Sequence, residues 1–239
     1  MKNSFQTLRE IDKELKENID EKYKEGAIKY FKEKINPIGV RTKIVDKISA
    51  KYFKETKCLD KKEIFEMCEE LLKSGEEEKK HIAFDWAFRL KKEYDKNDFE
   101  IFERWLKKYV SNWACCDDFC SHAFGYLIFK FPKYLKEIKK LAHSKNRWEK
   151  RASAVIMLYS IRENQNIEFC FKIADILLED SDDLVQKGYG WMLKVVAEFY
   201  QRDVFDYVMR NKQKMPRTAL RYAIEKFPKD LREECLKRD

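Results

Sequence analysis

Apolar side chains recur at intervals of three and four residues along most of this chain, a spacing that places them on one face of an α-helix. Typical sets are Ile44, Ile48 and Tyr52, then Phe102, Trp105 and Leu106, then Leu135, Ile138 and Leu141. Only 6 Gly and 4 Pro occur among the 239 residues, too few for the turns of a β-sandwich, for Gly-rich phosphate loops or for Pro-rich linkers. The sequence therefore predicts an all-α protein.

The same periodicity gives approximate helix bounds, with connections of only a few residues between them. The predicted helices span 5–17, 20–34, 41–56, 60–74, 77–94, 98–110, 115–130, 133–143, 147–162, 166–178, 182–197, 201–211, 216–227 and 230–237. Short connections make consecutive helices antiparallel neighbours. Capping or first-turn residues support several starts, namely Asn97, Pro132, the aspartates within 180–183, and Pro216. No change in composition marks a linker, so we expect one domain over residues 1–239.

Four predicted helices open with a basic residue, followed by small and then apolar or aromatic residues. These openings lie at Lys80, Lys150, Lys187 and Arg217. The last three recur at a period in the thirties, and residues 117–128 fill the wider gap after Lys80 with one more unit. Helix pairs repeating at this period predict an α-solenoid of the HEAT or armadillo kind, in which the second helix of each pair lines a concave face. We expect the basic openings to form a positive stripe along that face.

The excess positive charge of the chain is concentrated in one stretch. Lys and Arg total 51 against 43 Asp and Glu, a net charge of +8, and residues 130–151 contain nine basic residues against two acidic ones. Such a stretch fits the phosphate backbone of a DNA duplex, because phosphate binds Lys and Arg side chains and helix N-termini. Ordinary solvated faces of amphipathic helices explain the same pattern equally well.

The seven cysteines are odd in number and fit free thiols in a reducing cytoplasm better than a disulfide scaffold. No apolar leader opens the sequence, and no apolar run approaches the roughly 18 residues of a membrane span, so we expect a cytoplasmic protein without a membrane segment. Cys115, Cys116 and Cys120 lack the spacing of metal ligands. Gly188 and Gly190 form a GxG sequence without the strand-turn-helix context of a dinucleotide site. The histidines at 81, 122 and 143 are expected to be structural.

Trp113 and Asp117 are four residues apart, which on a helix puts an indole and a carboxylate on one face. Arg151 and Trp191 lie on later helices that the repeat assigns to the inner layer. These four side chains are therefore expected to share the concave surface. For each tryptophan the alternative is a position in the core.

Several segments together resemble the DNA alkylation repair glycosylases of the AlkD type. The segments are KYFKEKINPIGVRT (29–42), SNWACCDDFC (111–120), RWEKRASAV (147–155), LVQKGYGWMLK (184–194) and MPRTALRYAIEKFP (215–228). The resemblance covers essentially the whole chain and implies a curved HEAT-like solenoid whose concave basic face holds duplex DNA. It places that family's Trp, Asp, Arg and Trp at Trp113, Asp117, Arg151 and Trp191, and its N-terminal DNA-contacting Tyr at Tyr30, for which a core position is the alternative.

The resemblance implies hydrolytic removal of purines alkylated at N3 or N7 from duplex DNA, with Asp117 as the catalytic carboxylate. Trp113 and Trp191 would contact the cationic lesion and its sugar, and Arg151 would hold a backbone phosphate. The basic openings Lys150, Lys187 and Arg217 are further candidates for DNA contacts. Asp118 offers a second carboxylate, which we expect at the helix flank. In this family the lesion is thought to stay stacked, so an open groove without a closed pocket is expected.

We further expect a monomer that needs no metal, cofactor or obligate protein partner. Two alternatives remain at this level. One is a non-catalytic HEAT-like module that binds damaged or branched DNA, and the other is a protein-interaction solenoid whose charges are incidental. DNA affinity that is weak and independent of ionic strength would favour the last of these.

Overall fold

The computed structural model describes residues 4–237, which form helices joined by short turns and contain no β-strand. None of the helices in this range is both long and apolar enough to cross a membrane. Residue contacts divide the chain into two compact units, the N-terminal unit Met1–Asp118 and the C-terminal unit Phe119–Asp239. The all-α prediction is confirmed, and the expectation of one domain stays a prediction.

The N-terminal unit is a packed group of helices. Its helices are α1 (Ser4–Glu17), α2 (Glu21–Tyr30), α3 (Thr42–Phe53), α4 (Lys61–Lys73), α5 (Glu77–Arg89), α6 (Asp98–Tyr109) and α7 (Trp113–Phe119), the last residue of α7 being the first of the next unit. α3 packs against α1 and α5, and α4 packs against α5. Large buried side chains such as Ile48, Trp86 and Trp105 fill the spaces between the helices.

The C-terminal unit shows the helix-pair repeat most clearly. It comprises a π-helical turn (Cys120–Phe124), then α8 (Gly125–Lys130), α9 (Leu135–Ala142), α10 (Arg147–Val155), α11 (Met157–Arg162), α12 (Ile167–Leu177), α13 (Asp183–Ala197), α14 (Gln201–Asn211), α15 (Arg217–Ala223) and α16 (Lys229–Leu236). The predicted inner helices are successive neighbours, α10 against α13 and α13 against α15, while α9 packs against α12. This arrangement is the HEAT-like α-solenoid that the repeat predicts.

Two glycines allow α13 to approach both of its neighbours closely. A Cβ atom added at Gly188 would lie 3.1 Å from Cγ of Arg151 on α10, and one added at Gly190 would lie 2.7 Å from Cβ of Tyr222 on α15. Real Cβ atoms rarely tolerate such distances, because side-chain packing leaves no free space there. The GxG sequence therefore serves helix packing in this fold.

The main difference from the predicted helices lies after Tyr30. We expected the second helix to continue to residue 34, but α2 ends at Tyr30, and Phe31 has extended backbone angles of φ −81° and ψ 137°. Residues 31–41 are non-helical, and Gly39 has a φ of 108° that favours glycine. The helix predicted over 147–162 is interrupted at Ile156, and the one predicted over 115–130 begins at Trp113 and contains the π-helical turn.

Candidate functional site

Tyr30, Phe31 and Trp113 form an aromatic cluster at the surface of the N-terminal unit. The rings of Phe31 and Trp113 are stacked, with centroids 5.1 Å apart and an interplanar angle of 12°. The ring of Tyr30 meets Trp113 edge to face at 6.1 Å, and 72% of the Tyr30 surface is exposed. Tyr30 is thus not a core residue, and one face of the Trp113 indole is already covered by Phe31.

α7 carries Trp113 and Asp117 one helical turn apart, and both side chains are half-buried. Asn112 anchors the start of this helix, since its Oδ1 accepts a hydrogen bond from the Cys115 amide at 3.0 Å. The Nδ2 of Asn112 donates to Oε2 of Glu77 on α5 at 2.8 Å. The indole and the carboxylate therefore lie on one face of α7, as expected. The hydrogen bond from Asn112 to Glu77 connects the start of this helix to α5.

Asp118, the second carboxylate of α7, binds a histidine. Its Oδ2 lies 2.7 Å from Nδ1 of His81, and Nε2 of His81 lies 2.8 Å from Oδ1 of Asp46 on α3. Burial of the ring lowers its pKa, but hydrogen bonding and charge from Asp118 and then from Asp46 outweigh burial and raise the pKa of His81 to about 9. At neutral pH an imidazolium therefore links α7, α5 and α3.

Glu78 holds the non-helical segment 31–41 in place. Its side chain is buried, and its carboxylate accepts hydrogen bonds from the backbone amides of Ile38, Gly39 and Val40 at 2.8 to 2.9 Å. A carboxylate that accepts hydrogen bonds from three backbone amides fixes the path of the chain that donates them. This contact holds residues 38–40 of the non-helical segment that follows the end of α2 at Tyr30.

A cavity of about 270 Å³, partly open to solvent, lies between this segment and helices α2, α3, α5 and α7. Phe31 belongs both to the cavity wall and to the stack on Trp113. Because this cavity is partly open to solvent, the expected open groove without a closed pocket stays a prediction. The extended segment 31–41 provides the additional wall that a regular helix pair lacks.

Arg151 on α10 is buried, with 5% of its surface exposed. Its Nη1 donates a hydrogen bond to the carbonyl oxygen of Leu184, and its side chain packs against Gly188 of α13. Trp191, further along α13, is half-buried. Arg151 thus helps to join α10 to α13 within the C-terminal unit.

The basic residues that open the inner helices bind acceptors of the protein itself. Lys80 has 4% of its surface exposed and donates to Glu77 at 2.9 Å and to Ser111 at 3.1 Å. The other pairs are Lys150 with Asp180, Lys187 with Asp183 at 3.1 Å, and Arg217 with the carbonyl oxygen of Leu236 at 3.3 Å. Lys80 is therefore not part of an exposed positive stripe, because its buried charge is paired internally.

The sequence model of the family described as DNA alkylation repair enzyme matches residues 11–227. The chain belongs to this family. A solved structure described as a predicted DNA alkylation repair enzyme from Enterococcus faecalis has a similar fold, with a TM-score of 0.79 and 17% sequence identity over 89% of this chain and 98% of that one. A search of curated protein sequences finds no match.

The match to the DNA alkylation repair family covers all the candidate site residues predicted from the sequence, from Tyr30 to Arg217. Trp113 and Asp117 belong to the N-terminal unit, whereas Arg151 and Trp191 belong to the C-terminal unit. Their convergence stays a prediction, as do the DNA contacts of Tyr30, Lys150, Lys187 and Arg217.

A cluster of exposed lysines lies on and beside α9. This helix packs against its neighbours through Ile138, Leu141 and Ala142. The exposed lysines of the segment are Lys130, Lys133, Lys136, Lys139, Lys140 and Lys145. Glu137 pairs with Lys140 at 2.7 Å. The concentration of charge in the sequence is thus a surface feature of the C-terminal unit.

Sequence reasoning missed Glu78 and the role of His81. Glu78 lies in an acidic run that resembles a solvated helix start, and the partners of His81 are 35 and 37 residues away, so no local spacing reveals either contact. The spacing of Cys115 in the sequence argues only against metal binding. It is buried, and burial raises the pKa of its thiol to about 12, which keeps it protonated at neutral pH.

Proposed function

We propose that this protein is a DNA glycosylase that hydrolyses the N-glycosidic bond of N3- and N7-alkylated purines in duplex DNA. The observation that carries the proposal is the α7 face, where Asp117 follows Trp113 by one turn and an exposed Tyr30 adjoins the indole. Membership in the DNA alkylation repair enzyme family supports the class of reaction.

The reaction requires two contributions from the protein, which are stabilisation of the charge that develops on the sugar and orientation of the attacking water. Alkylation at N3 or N7 makes the base cationic and weakens its bond to the sugar, so departure of the base develops oxocarbenium character on the deoxyribose. An ionised Asp117 beside that sugar stabilises the developing charge and orients the attacking water. The indole of Trp113, which has one face covered by Phe31, presents its remaining surface to the cationic lesion.

Binding of the duplex relies on basic residues from the C-terminal unit in this proposal. Lys187 and Arg217 remain partly exposed beside their internal partners, and the exposed lysines of α9 add positive potential. Each phosphate contact releases counterions, so affinity is expected to fall steeply as the salt concentration rises. We also propose that the protein is a monomer, that it acts in the cytoplasm and that it needs no cofactor. Analytical ultracentrifugation tests the oligomeric state.

The decisive experiment measures free base released from duplex DNA that contains 7-methylguanine. We expect release by the wild-type protein and a decrease of about 100- to 1000-fold for Asp117→Asn, the usual effect of removing one electrostatic contact to a transition state. Asp206→Asn on α14 is the matched control, since Asp206 is an exposed carboxylate paired with Arg202. Unchanged release by Asp117→Asn contradicts the assignment of the catalytic carboxylate.

A non-catalytic module that binds damaged or branched DNA is the second candidate. It is favoured by the internal engagement of Arg151, whose guanidinium is buried and bonded to the backbone of α13. Salt-dependent binding of the methylated duplex without any release of base by the wild-type protein would establish this alternative and exclude the glycosylase.

A further inference from the structure

A groove of about 1440 Å³, open to solvent, lies between helices α12 and α14 of the C-terminal unit. Both helices pack against α13. Residues three or four apart on each helix line the groove, namely Glu168, Lys172 and Asp175 on α12 and Asp203, Tyr207 and Arg210 on α14. The volume exceeds the roughly 300–1,000 Å³ of sites for small molecules. A segment of polypeptide therefore fits this groove better than a single small molecule does.

Most carboxylates on the walls of the groove have no cationic partner. Within residues 4–237, Glu168, Asp175 and Asp203 form no ion pair. A fourth lining carboxylate, Asp206, is paired with Arg202 at 3.1 Å. The carboxylates also outnumber the two basic side chains of the lining, in a protein whose net charge is +8. The groove therefore attracts a cationic partner and repels the phosphates of DNA.

Tyr207 supplies a second, independent observation that points to a ligand. It lines the groove, only 3% of its surface is exposed, and its hydroxyl has no hydrogen-bond partner among the described residues. Burial, followed by the charge of Asp175, raises the pKa of Tyr207, so this carboxylate lies near the hydroxyl but outside hydrogen-bonding geometry. A buried hydroxyl without a partner is costly. An ammonium or guanidinium group that binds Asp175 can donate to this hydroxyl after the rotamer changes that are common on binding.

Asn166 indicates the conformation of the occupant. Its Nδ2 is buried without a hydrogen-bond partner, and its side chain makes no capping hydrogen bond although Asn166 is the N-cap residue of α12. Rotation about the broad terminal torsion turns this donor toward the groove, which Asn166 lines. An extended polypeptide has free backbone carbonyl groups that accept such a bond, whereas those of a helix are already bonded. An extended segment is therefore favoured.

The aromatic side chains of the groove provide apolar contact surface. The rings of Phe171 and Tyr207 are 5.3 Å apart, and Phe169 also lines the groove. The 11 residues of α14 rise about 16 Å at 1.5 Å per residue. An extended chain advances about 3.3 Å per residue, so about five residues of a partner span the groove.

We propose that the groove between α12 and α14 binds an extended, basic segment of another protein. Lysine or arginine side chains of the segment contact Asp175 and Asp203, its backbone accepts a hydrogen bond from Asn166, and its apolar side chains pack against Phe171. The inference rests on the C-terminal unit alone and does not depend on the glycosylase activity.

Fluorescence anisotropy with a labelled synthetic octapeptide of alternating lysine and leucine tests this proposal on the full chain. The matched probe has glutamate in place of lysine, and salt at about 0.15 M screens charges farther than about 8 Å away. We expect the basic peptide to bind at least roughly tenfold more tightly than the acidic one. The net charge of +8 on the whole protein favours the opposite order. Equal affinities, or tighter binding of the acidic peptide, overturn the proposal.

The combined substitutions Asp175→Asn and Asp203→Asn remove two charges from the groove. We expect affinity for the basic peptide to fall roughly tenfold. The control combines Glu198→Gln with Asp230→Asn, which makes the same change in net charge at exposed carboxylates of the same unit outside the groove. Equal affinities of the two double variants, both shown to be folded by circular dichroism, overturn the proposal.

Tyr207→Phe removes the hydroxyl and keeps the ring. Because the hydroxyl has no partner in the free protein, we expect the variant to be at least as stable as wild type in urea denaturation. Its affinity for the basic peptide should nevertheless fall at least roughly threefold, since the peptide loses one hydrogen bond. A purely structural hydroxyl would give the reverse pattern, with lower stability and unchanged affinity. Unchanged affinity overturns the proposal.

Two other occupants are outcomes of these assays. Spermidine that displaces the basic peptide at an equal or lower concentration would assign the groove to a small polyamine. Self-association of the wild-type protein that the double variant of Asp175 and Asp203 abolishes, measured by analytical ultracentrifugation, would assign it to a second copy of the chain. Either result overturns the proposal. Release of base from DNA is expected to be the same in these variants as in wild type, so the proposed function is tested separately.

Discussion

The two units support their candidate residues in different ways. In the N-terminal unit, hydrogen bonds and ion pairs from buried or half-buried charged groups hold an extended segment and α7 in position. In the C-terminal unit, Arg151 is held by close packing of α10 against α13, for which Gly188 provides the space. Polar contacts keep a cavity open in the first case, and close packing buries a charged side chain in the second.

The difference shows where a helical repeat can acquire a cavity. A regular pair of helices fills the space between its members, as α13 and α15 do around Gly190. An interrupted helix leaves backbone amides without helical partners, and these must be satisfied by another group. In the N-terminal unit Glu78 satisfies the amides of residues 38–40 in the non-helical segment between α2 and α3, and this bonding stabilises that part of the segment.

Glu78→Gln is expected to have the largest effect on stability, because it weakens the hydrogen bonds that the Glu78 carboxylate accepts from the amides of residues 38–40. A glutamine side chain has one oxygen for three backbone donors and no negative charge, so we predict a loss of about 2–4 kcal/mol in the free energy of unfolding. Urea denaturation measures it. Glu70→Gln, at an exposed carboxylate paired with Lys73, serves as the control and should change little. A loss below about 1 kcal/mol would contradict the role given to Glu78.

Gly190→Ala tests the packing of the C-terminal unit. The new Cβ would lie 2.7 Å from Cβ of Tyr222 and 2.8 Å from the backbone oxygen of Ala219, so we predict a net loss of about 1–2 kcal/mol despite the better helix propensity of alanine. Gly26→Ala on α2 has no heavy atom within 4 Å of the new Cβ and should instead gain up to about 1 kcal/mol. Similar thermal shifts in calorimetry for both variants would refute the close-packing argument.

His81→Gln separates the ionic contribution from the packing of the N-terminal unit. Because the pKa of His81 rises from 6.5 to about 9 on folding, its ion pairs stabilise the protein fully below about pH 6.5 and lose this contribution as the pH rises toward 9. With allowance for partial exposure, we predict that the variant is about 1–2 kcal/mol less stable at pH 6 and nearly equal to wild type above pH 9.

Urea denaturation over this pH range measures the difference between wild type and His81→Gln. His143→Gln is the control, since His143 is an exposed histidine at the end of α9. A difference in stability that stays constant with pH would assign His81 a packing role only.

The smallest effect is expected from the exposed charge of the C-terminal unit. Replacing Lys133, Lys136 and Lys140 together by Gln should weaken binding to duplex DNA a few-fold and reduce its salt dependence. The control replaces three exposed lysines of the N-terminal unit, Lys54, Lys57 and Lys62, which carry the same total charge. Fluorescence anisotropy at several salt concentrations gives both slopes. Identical slopes for the two triple variants would mean that α9 contributes only its net charge.

The helices and their order were predictable because amphipathic periodicity is a local property. The inner helices α10, α13 and α15 follow from it, and so does the pairing of Trp113 with Asp117 on α7. The partners of charged residues were not predictable. Lys150 meets Asp180 thirty residues away, and no spacing rule connects two residues on different helices of a repeat.

By itself, the sequence determined that the chain is an all-helical repeat, which family it resembles, and that Trp113 and Asp117 share one face of α7. Each of these depends on residue type and on neighbours within a few helical turns. Only the tertiary structure decided that α2 ends at Tyr30, that Tyr30 is exposed, that Lys80 and Arg151 are buried, and that a cavity lies beside Phe31. These outcomes depend on contacts between distant segments, such as the carboxylate of Glu78 with the amides of residues 38–40 and the guanidinium of Arg151 with the carbonyl oxygen of Leu184. Burial makes such contacts necessary, because a buried charge or amide without a partner is costly.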